Sequence, residues 1–326
     1  MPTEEAMLTA FLDDIVAHPE DPSLWLILAD WLDERDDPRT ELVRQSWSLL
    51  HEPHHPEFEQ REARVQELIS DGTIPVVPQL KLGEFEFSWI APGSFLMGSP
   101  QDEAEREDNE GQHPVTISRG FWLGTHLVTQ GQWKDWMPTN RSGFTRDGEY
   151  SDRVERLSDA EIERLPVEGM SHAEALEFCQ KLKQKFRQPV RLPTEAEWEL
   201  ACRAGTTTPF HFGSILNGHQ ANCDGTMPYG TREQGPYAYR TVPVGLYPPN
   251  PHGLYDLHGN VREWCQDLYL RELHELPEVD PVSTTGDGHV ARGECWIANA
   301  AWCRVAYRVT PSSRTGDSLT GFRLCI

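Results

Sequence analysis

The chain has 326 residues, with 52 Asp/Glu against 29 Lys/Arg and a formal net charge of −23 at pH 7. Such a field repels phosphate backbones and anionic lipid surfaces, which excludes nucleic acid as an expected partner. No run of about eighteen apolar residues occurs, so no membrane span is expected.

The opening "MPTEEAMLTAFLDDIVAHPE" lacks the basic start and apolar stretch of a secretion signal. We therefore expect a cytoplasmic protein whose seven cysteines are mostly reduced, buried thiols. Residues 1–72 carry 18 Asp/Glu and 5 Lys/Arg, a balance of −13 that marks them as a separate unit. Their pattern is helical. In "EEAMLTAFLDDIVAH", Met7, Leu8, Phe11, Leu12 and Ile15 share one face, and Pro19 and Pro22 stop the helix. "SLWLILADWLDER" follows with Ser23 as N-cap and Leu24, Leu28, Trp31 and Leu32 on one face. "PRTELVRQSWSLL" and "PEFEQREARVQELIS" supply two more helices, the last ending near Gly72.

Between them, His51, His55 and Glu57 have the H-x3-H-x-E spacing of an iron motif. Pro53 and Pro56 forbid the regular helix that would align the two histidines, so a loop is expected. "ILADWLDERDDPRTELVR" resembles a short helical module at the front of modular bacterial proteins. The resemblance implies no chemistry, and we expect protein docking through this acidic unit.

"GTIPVVPQLKLG", Gly72 to Gly83, marks a linker, with bounds 73–84. Beyond it, 85–326 has short apolar runs such as "FEFSWI", many Trp and Gly, and two clear helices, "SHAEALEFCQKLKQKF" and "TEAEWELACRAG". This is an α+β pattern with little sheet, preceded by a small all-α domain. Thr194 and Glu197 are placed for a capping box, Trp198 and Ala201 for the inward face, and Gly205 for the helix end. In "YDLHGNVREW", Asp256 and Glu263 bracket a tight Gly259-Asn260 turn, offering carboxylates and carbonyls to a hard cation such as Ca2+.

"FSWIAPGSFLMGSP", "HPVTISRGFWLGTHLVTQGQW", "VRLPTEAEWELACRAG", "NPHGLYDLHGNVREWCQD" and the closing "GFRL" resemble, in order, the formylglycine-generating enzyme (sulfatase-modifying factor) superfamily. The resemblance implies a C-type-lectin-like fold. It also implies a structural Ca2+ held by Asp256, Glu263 and the carbonyls of Gly259 and Val261. A second family site is less well matched: Asn222 and Cys223 are kept, but Pro236 and Ala238 stand at later ligand positions.

The enzymes of this family hold Cu(I) between two cysteines spaced C-x4-C. In "RGECWIANAAWCRVAYR" the resemblance puts the second on Cys303 and the first on Ala298. Cys295 falls at the family's serine position, three residues before the place where a thiol is required. Two sulfurs on one Cu(I) must lie within about 4.5 Å, so Cys295 is a poor substitute. Cys303 is expected to be framework, and catalytic only if the chain is an enzyme.

The same scaffold serves the variable proteins of diversity-generating retroelements, in which "RGGSW…AR…GFR" is framework and the intervening residues form a ligand surface. Most intervening residues here are reachable from an Asn codon by adenine changes, whereas Glu294 and Trp302 are not reachable from AAC. On this resemblance the candidate ligand-binding residues are Ile297, Asn299, Trp302, Val305, Tyr307, Thr310, Ser313 and Asp317. The expected function is a non-catalytic, or catalytically reduced, protein that binds a protein or other ligand through this C-terminal display surface. The alternative is an oxygen-dependent oxidase of formylglycine-generating type using Cu(I).

Overall fold

The computed structural model describes residues 3–311 and 316–326. Four helices open the chain: α1 (Glu4–Ala17), α2 (Ser23–Asp33), α3 (Arg39–His51) and α4 (Phe58–Ser70). Thr3 caps α1 by accepting from the Ala6 N–H at 3.2 Å. Ser23 is the first residue of α2 rather than its cap; Pro22 takes the cap position and Asp21 accepts from the Ser23 N–H at 3.0 Å. The expected apolar face of α1 holds: Ile15 is buried, with Leu8, Phe11 and Leu12 half-buried against Leu28 and Leu32 of α2 and Val43 of α3. The other side of α3 meets α4 through Leu42, Leu49, Val65 and Ile69. His51 closes α3 and His55 lies in the following turn against Arg61 Nη2 at 2.8 Å, so the two imidazoles do not share a helix.

Main-chain pairing resumes at once. β1 (Gln79–Leu82), inside the Pro/Gly-punctuated segment, pairs with β2 (Phe85–Ile90), which pairs with β5 (Phe121–Gly124), all antiparallel. β3 (Gly93–Met97) and β4 (His113–Ile117) form a separate antiparallel pair. Five helices follow: α5 (Gln130–Trp136), α6 (Ser151–Val154), α7 (Asp159–Glu163), α8 (His172–Phe186) and α9 (Glu195–Arg203). Capping boxes start α8 with Ser171 and Glu174 and α9 with Thr194 and Glu197. The shorter α5 and α7 were not anticipated, although Thr129 with Gln132 and Ser158 with Glu161 form the same device.

No helix or strand forms between α9 and β6 (Arg262–Leu268). The last sheet has the order β8-β7-β6-β9, from β7 (His289–Arg292), β8 (Arg308–Val309) and β9 (Thr320–Gly321), with β6 and β9 parallel. Every residue of α9 is buried, and Trp198 packs with Ile90, Leu257 and Val290 in the central core. This is the α+β, loop-rich, sheet-poor domain expected for 85–326, with a small all-α unit before it. Among the described residues no helix is long and apolar enough to cross a membrane.

The helical unit is seated on the main domain. Glu62 of α4, 4% exposed, accepts from the Thr207 N–H at 2.7 Å, the Thr208 N–H at 3.1 Å and the Thr208 hydroxyl at 2.9 Å. Gly205, at φ +88°, lets the end of α9 approach α3; a Cβ there would lie 3.0 Å from that of Leu49. Glu62→Ala leaves two backbone donors of the 207–208 turn unpaired, and we expect a loss of about 1–3 kcal/mol. Chemical denaturation checks this, together with faster protease cleavage near residues 72–78.

Candidate functional site

The C-terminal segment hangs on four arginines. Arg292, at the end of β7, reaches Glu195 at 2.9 Å, Glu199, and the Val305 carbonyl at 2.7 Å. Arg308 grips Glu195 through two nitrogens at 2.6 and 2.9 Å. Arg304 holds Glu110 at 2.7 and 2.8 Å and Glu103 at 2.6 Å. Arg323 takes both oxygens of Glu263 at 2.6 and 2.8 Å. All four are buried. Against the upward push of burial, Arg308 and Arg292 hold the Glu195 carboxyl below its ordinary range, so Glu195 stays charged.

Between these anchors the chain makes a short excursion. Gly293 and Glu294 both have positive φ, and a 3-10 turn (Ala300–Cys303) is capped by Asn299, whose Oδ1 accepts from the Trp302 N–H at 3.1 Å. Of the expected ligand-binding residues, Ile297 is 49% and Trp302 45% exposed. Asn299, Tyr307 and Thr310 are half-buried. The Trp302 ring stacks toward Tyr307, with centroids 6.2 Å apart. Val305 is a correction: it is 1% exposed, packs in the central core, and its N–H donates to the Pro209 carbonyl, so it displays nothing. Asp317 is half-buried, paired with Arg262 at 2.8 Å and accepting from the Leu319 N–H and the Thr320 hydroxyl. Ser313 lies outside the described residues.

Beside the turn opens a groove of about 800 Å³, lined by Asn299, Ala301, Met227, Tyr229, Thr207 and Glu103 among others. Met227 is 53% exposed there. Its carboxylates, threonines and exposed thioether suit a ligand with an apolar body and hydrogen-bonding edges. Met227, Tyr229 and Thr207 come from the irregular stretch after α9, which carries no periodic signal in the sequence.

Cys303 is wholly buried, with its Sγ 3.7 Å from the Asn299 carbonyl and its own carbonyl 2.7 Å from His258 Nδ1. Its thiol neighbour is Cys223 of "QANCDG". Asp224 bridges to Asn299, its N–H donating to the Ala298 carbonyl at 2.9 Å, so Cys223 is brought alongside the position where the family's first cysteine would stand. Both thiols share one core cluster with Cys295 and Ala298. A hydrogen bond with the Cys223 side chain, and then burial, push the Cys303 thiol well above its ordinary range. Burial also pushes up Cys295, whose thiol donates to Glu294 at 3.3 Å. Protonated thiols are poor nucleophiles.

At the expected calcium position, Asp256 accepts from the Gly245 N–H at 2.8 Å, and burial pushes its carboxyl up to about 6. Gly259 and Val261 flank the turn, but Glu263 has both oxygens on the Arg323 guanidinium. Arg323 is its counter-charge here, so Glu263 would have to turn from that guanidinium to serve a calcium ion. Among the described residues, no three His, Cys, Asp or Glu side chains are grouped to hold a metal.

A second cleft, of about 860 Å³, is lined by Ser142, Arg146, Glu168, Asp317 and Ser318 among others. Glu168 is 1% exposed and its Oε2 has no partner; burial pushes its carboxyl from 4.5 up to about 7.

Two expectations follow. Glu263→Ala strands the Arg323 charge and should cost about 3–5 kcal/mol in urea unfolding, the double variant with Arg323→Ala losing less than the sum, while added Ca2+ leaves the wild-type melting temperature unchanged. For Glu168, the folded-state value lies above the unfolded one. Its stabilising share is complete below about pH 4.5 and disappears as pH rises through about 7. Glu168→Gln should therefore melt higher than wild type at pH 8 and show a shallower fall between pH 4.5 and 8.

Similarity to other proteins agrees with this geometry. Residues 76–326 match the family described as the Sulfatase-modifying factor enzyme 1-like domain. The serine/threonine-protein kinase pkn1 of Chlamydia caviae is 31% identical over 283 residues, covering 81% of this chain, which spans 41% of that kinase. Among solved structures, PvdO from Pseudomonas aeruginosa aligns with a TM-score of 0.61 at 26% identity, covering 76% of this chain and 98% of its own. Treponema denticola variable protein 1 aligns with a TM-score of 0.58 at 26% identity, covering 77% and 99%. The chain belongs to the sulfatase-modifying factor enzyme 1-like family.

Proposed function

We propose that the chain is a binding protein on a formylglycine-generating-enzyme-like scaffold, recognising a protein or other ligand through its C-terminal surface. The observation that carries this is the alternation within 292–308. Arg292, Cys303, Arg304 and Arg308 are buried framework, while Ile297 and Trp302 stand out beside an open groove. Exposed aromatics give large contact area at low entropy cost. The likeness to a protein titled variable protein 1 supports a diversified surface. A nearby reverse transcriptase with a template copy differing only at adenines is the observation that tests diversification. We also assign protein docking to the acidic helical unit, whose Asp13, Asp14 and Glu20 are exposed. Cytoplasmic placement is our reading too, supported by seven free, buried cysteines.

A second reading is favoured by one finding, the Cys223 thiol beside Cys303. In an oxidase of this family bound Cu(I) supplies oxygen activation. Here Cys303 and Cys223 are the residues that would hold it, as soft ligands of the required type. Both are buried, and the Cys303 thiol is pushed well above its ordinary range.

Titration of reduced protein with Cu(I) against a chromogenic chelator separates the readings. Binding function predicts no stoichiometric uptake, and Cys303→Ser leaving ligand binding intact. One equivalent of Cu(I), lost in both Cys223→Ser and Cys303→Ser and accompanied by oxidation of a cysteine-containing peptide, replaces the binding reading with the enzyme.

A further inference from the structure

We infer that the surface around Arg153 and Tyr239 binds a small aromatic carboxylate. Four aromatic rings and one guanidinium meet there. Tyr237 and Tyr239 stack with centroids 3.8 Å apart, and Tyr237 continues to Trp296 at 6.5 Å. The Arg153 guanidinium lies over Tyr150 at 4.7 Å and over Trp296 at 5.4 Å from the ring centroids, and its Nη1 donates to the Tyr239 carbonyl at 2.7 Å. These contacts join α6, the 237–239 loop and the segment after β7 into one platform. It shares no residue with the groove at Asn299.

Two features mark the platform as more than packing. Tyr239 sits at φ +58°, a left-handed conformation that a bulky side chain seldom takes, and it is 57% exposed. Such strain persists only where surrounding contacts impose it, and the Arg153 grip on the Tyr239 carbonyl is one of them. The second feature is charge. Arg292, Arg304, Arg308 and Arg323 each meet a carboxylate, whereas the exposed Arg153 pairs with none among the described residues. Asp224, whose charge acts on Tyr237, accepts instead from the Thr226 N–H and hydroxyl at 3.0 and 2.6 Å.

The rings lie against the flat face of the guanidinium, which leaves its in-plane N–H donors for a ligand. A guanidinium carries five such donors in a fork that fits the two oxygens of a carboxylate. The carbonyl that anchors Arg153 and the exposed ring both belong to Tyr239, which keeps fork and ring within reach of one small ligand. A ring attached to the carboxylate stacks on Tyr239 while the oxygens meet Arg153. A neutral ring has nothing for Arg153, and an aliphatic acid has nothing for Tyr239.

Fluorine NMR with the full chain tests this, at about 0.15 M salt so that the long-range field of a chain of net charge −23 is screened beyond about 8 Å. 4-Fluorobenzoate should show saturable line broadening, with 4-fluorobenzyl alcohol at least threefold weaker. Tyr239→Gly suits the positive φ and removes the ring, so it should keep or raise the melting temperature while weakening benzoate binding more than fivefold. Arg153→Gln should bring benzoate down to the level of the alcohol and leave the alcohol unchanged. Absence of saturable broadening at millimolar benzoate, or equal binding by Tyr239→Gly, overturns the site. Equal binding of acid and alcohol, or of benzoate by Arg153→Gln and wild type, overturns recognition of the carboxylate.

Discussion

Four buried arginines, Arg292, Arg304, Arg308 and Arg323, hold the irregular shell of this domain together through their carboxylate partners. A sheet-poor domain cannot fix its long segments by ladders alone, and each guanidinium replaces many backbone contacts with one directional, bidentate grip. Removing such charges from water costs several kcal/mol per ion, which only the partner offsets, so the pairs impose their geometry strictly. Glu195 and Glu199 stand one helical turn apart on α9 and meet Arg292 together. Glu195 is shared with Arg308, so the helix, β7 and β8 are locked as one body.

That lock explains how the surface segment can be both exposed and ordered. Arg292 and Arg304 pin the excursion at its ends, and the 3-10 turn between them buries Ala300 and Cys303 while Trp302 faces outward. Changes at Ile297 or Trp302 leave the arginine network untouched. Val305 has no such freedom, because its carbonyl accepts from Arg292 and its side chain fills the core. The helical unit takes part as well. Glu62 anchors the turn at Thr207 and Thr208, and both residues line the groove beside Asn299.

The cysteines follow from the same packing. Ala298 is 2% exposed and lies in one cluster with Cys223, Cys295 and Cys303, a tight apolar region in which the thiols behave as small hydrophobic groups. The proximity of Cys223 and Cys303 comes from an isolated bridge between two loops, Asp224 to Asn299, and from no element a periodic pattern reveals.

Local interactions are what the amino-acid sequence determined by itself. The four opening helices, the capping box at Thr194, the inward Trp198 and the loop at His55 depend on residues a turn or two apart, so spacing and proline placement suffice to read them. The family motifs likewise locate the framework arginines. Only the tertiary structure decided their partners. Arg304 meets Glu110 across 194 residues and Arg323 meets Glu263 across 60. Burial of Val305 and the pairing of Cys223 with Cys303 were decided there too, because a buried charge or thiol takes its partner from whatever the folded chain brings within reach, and sequence distance does not constrain that choice.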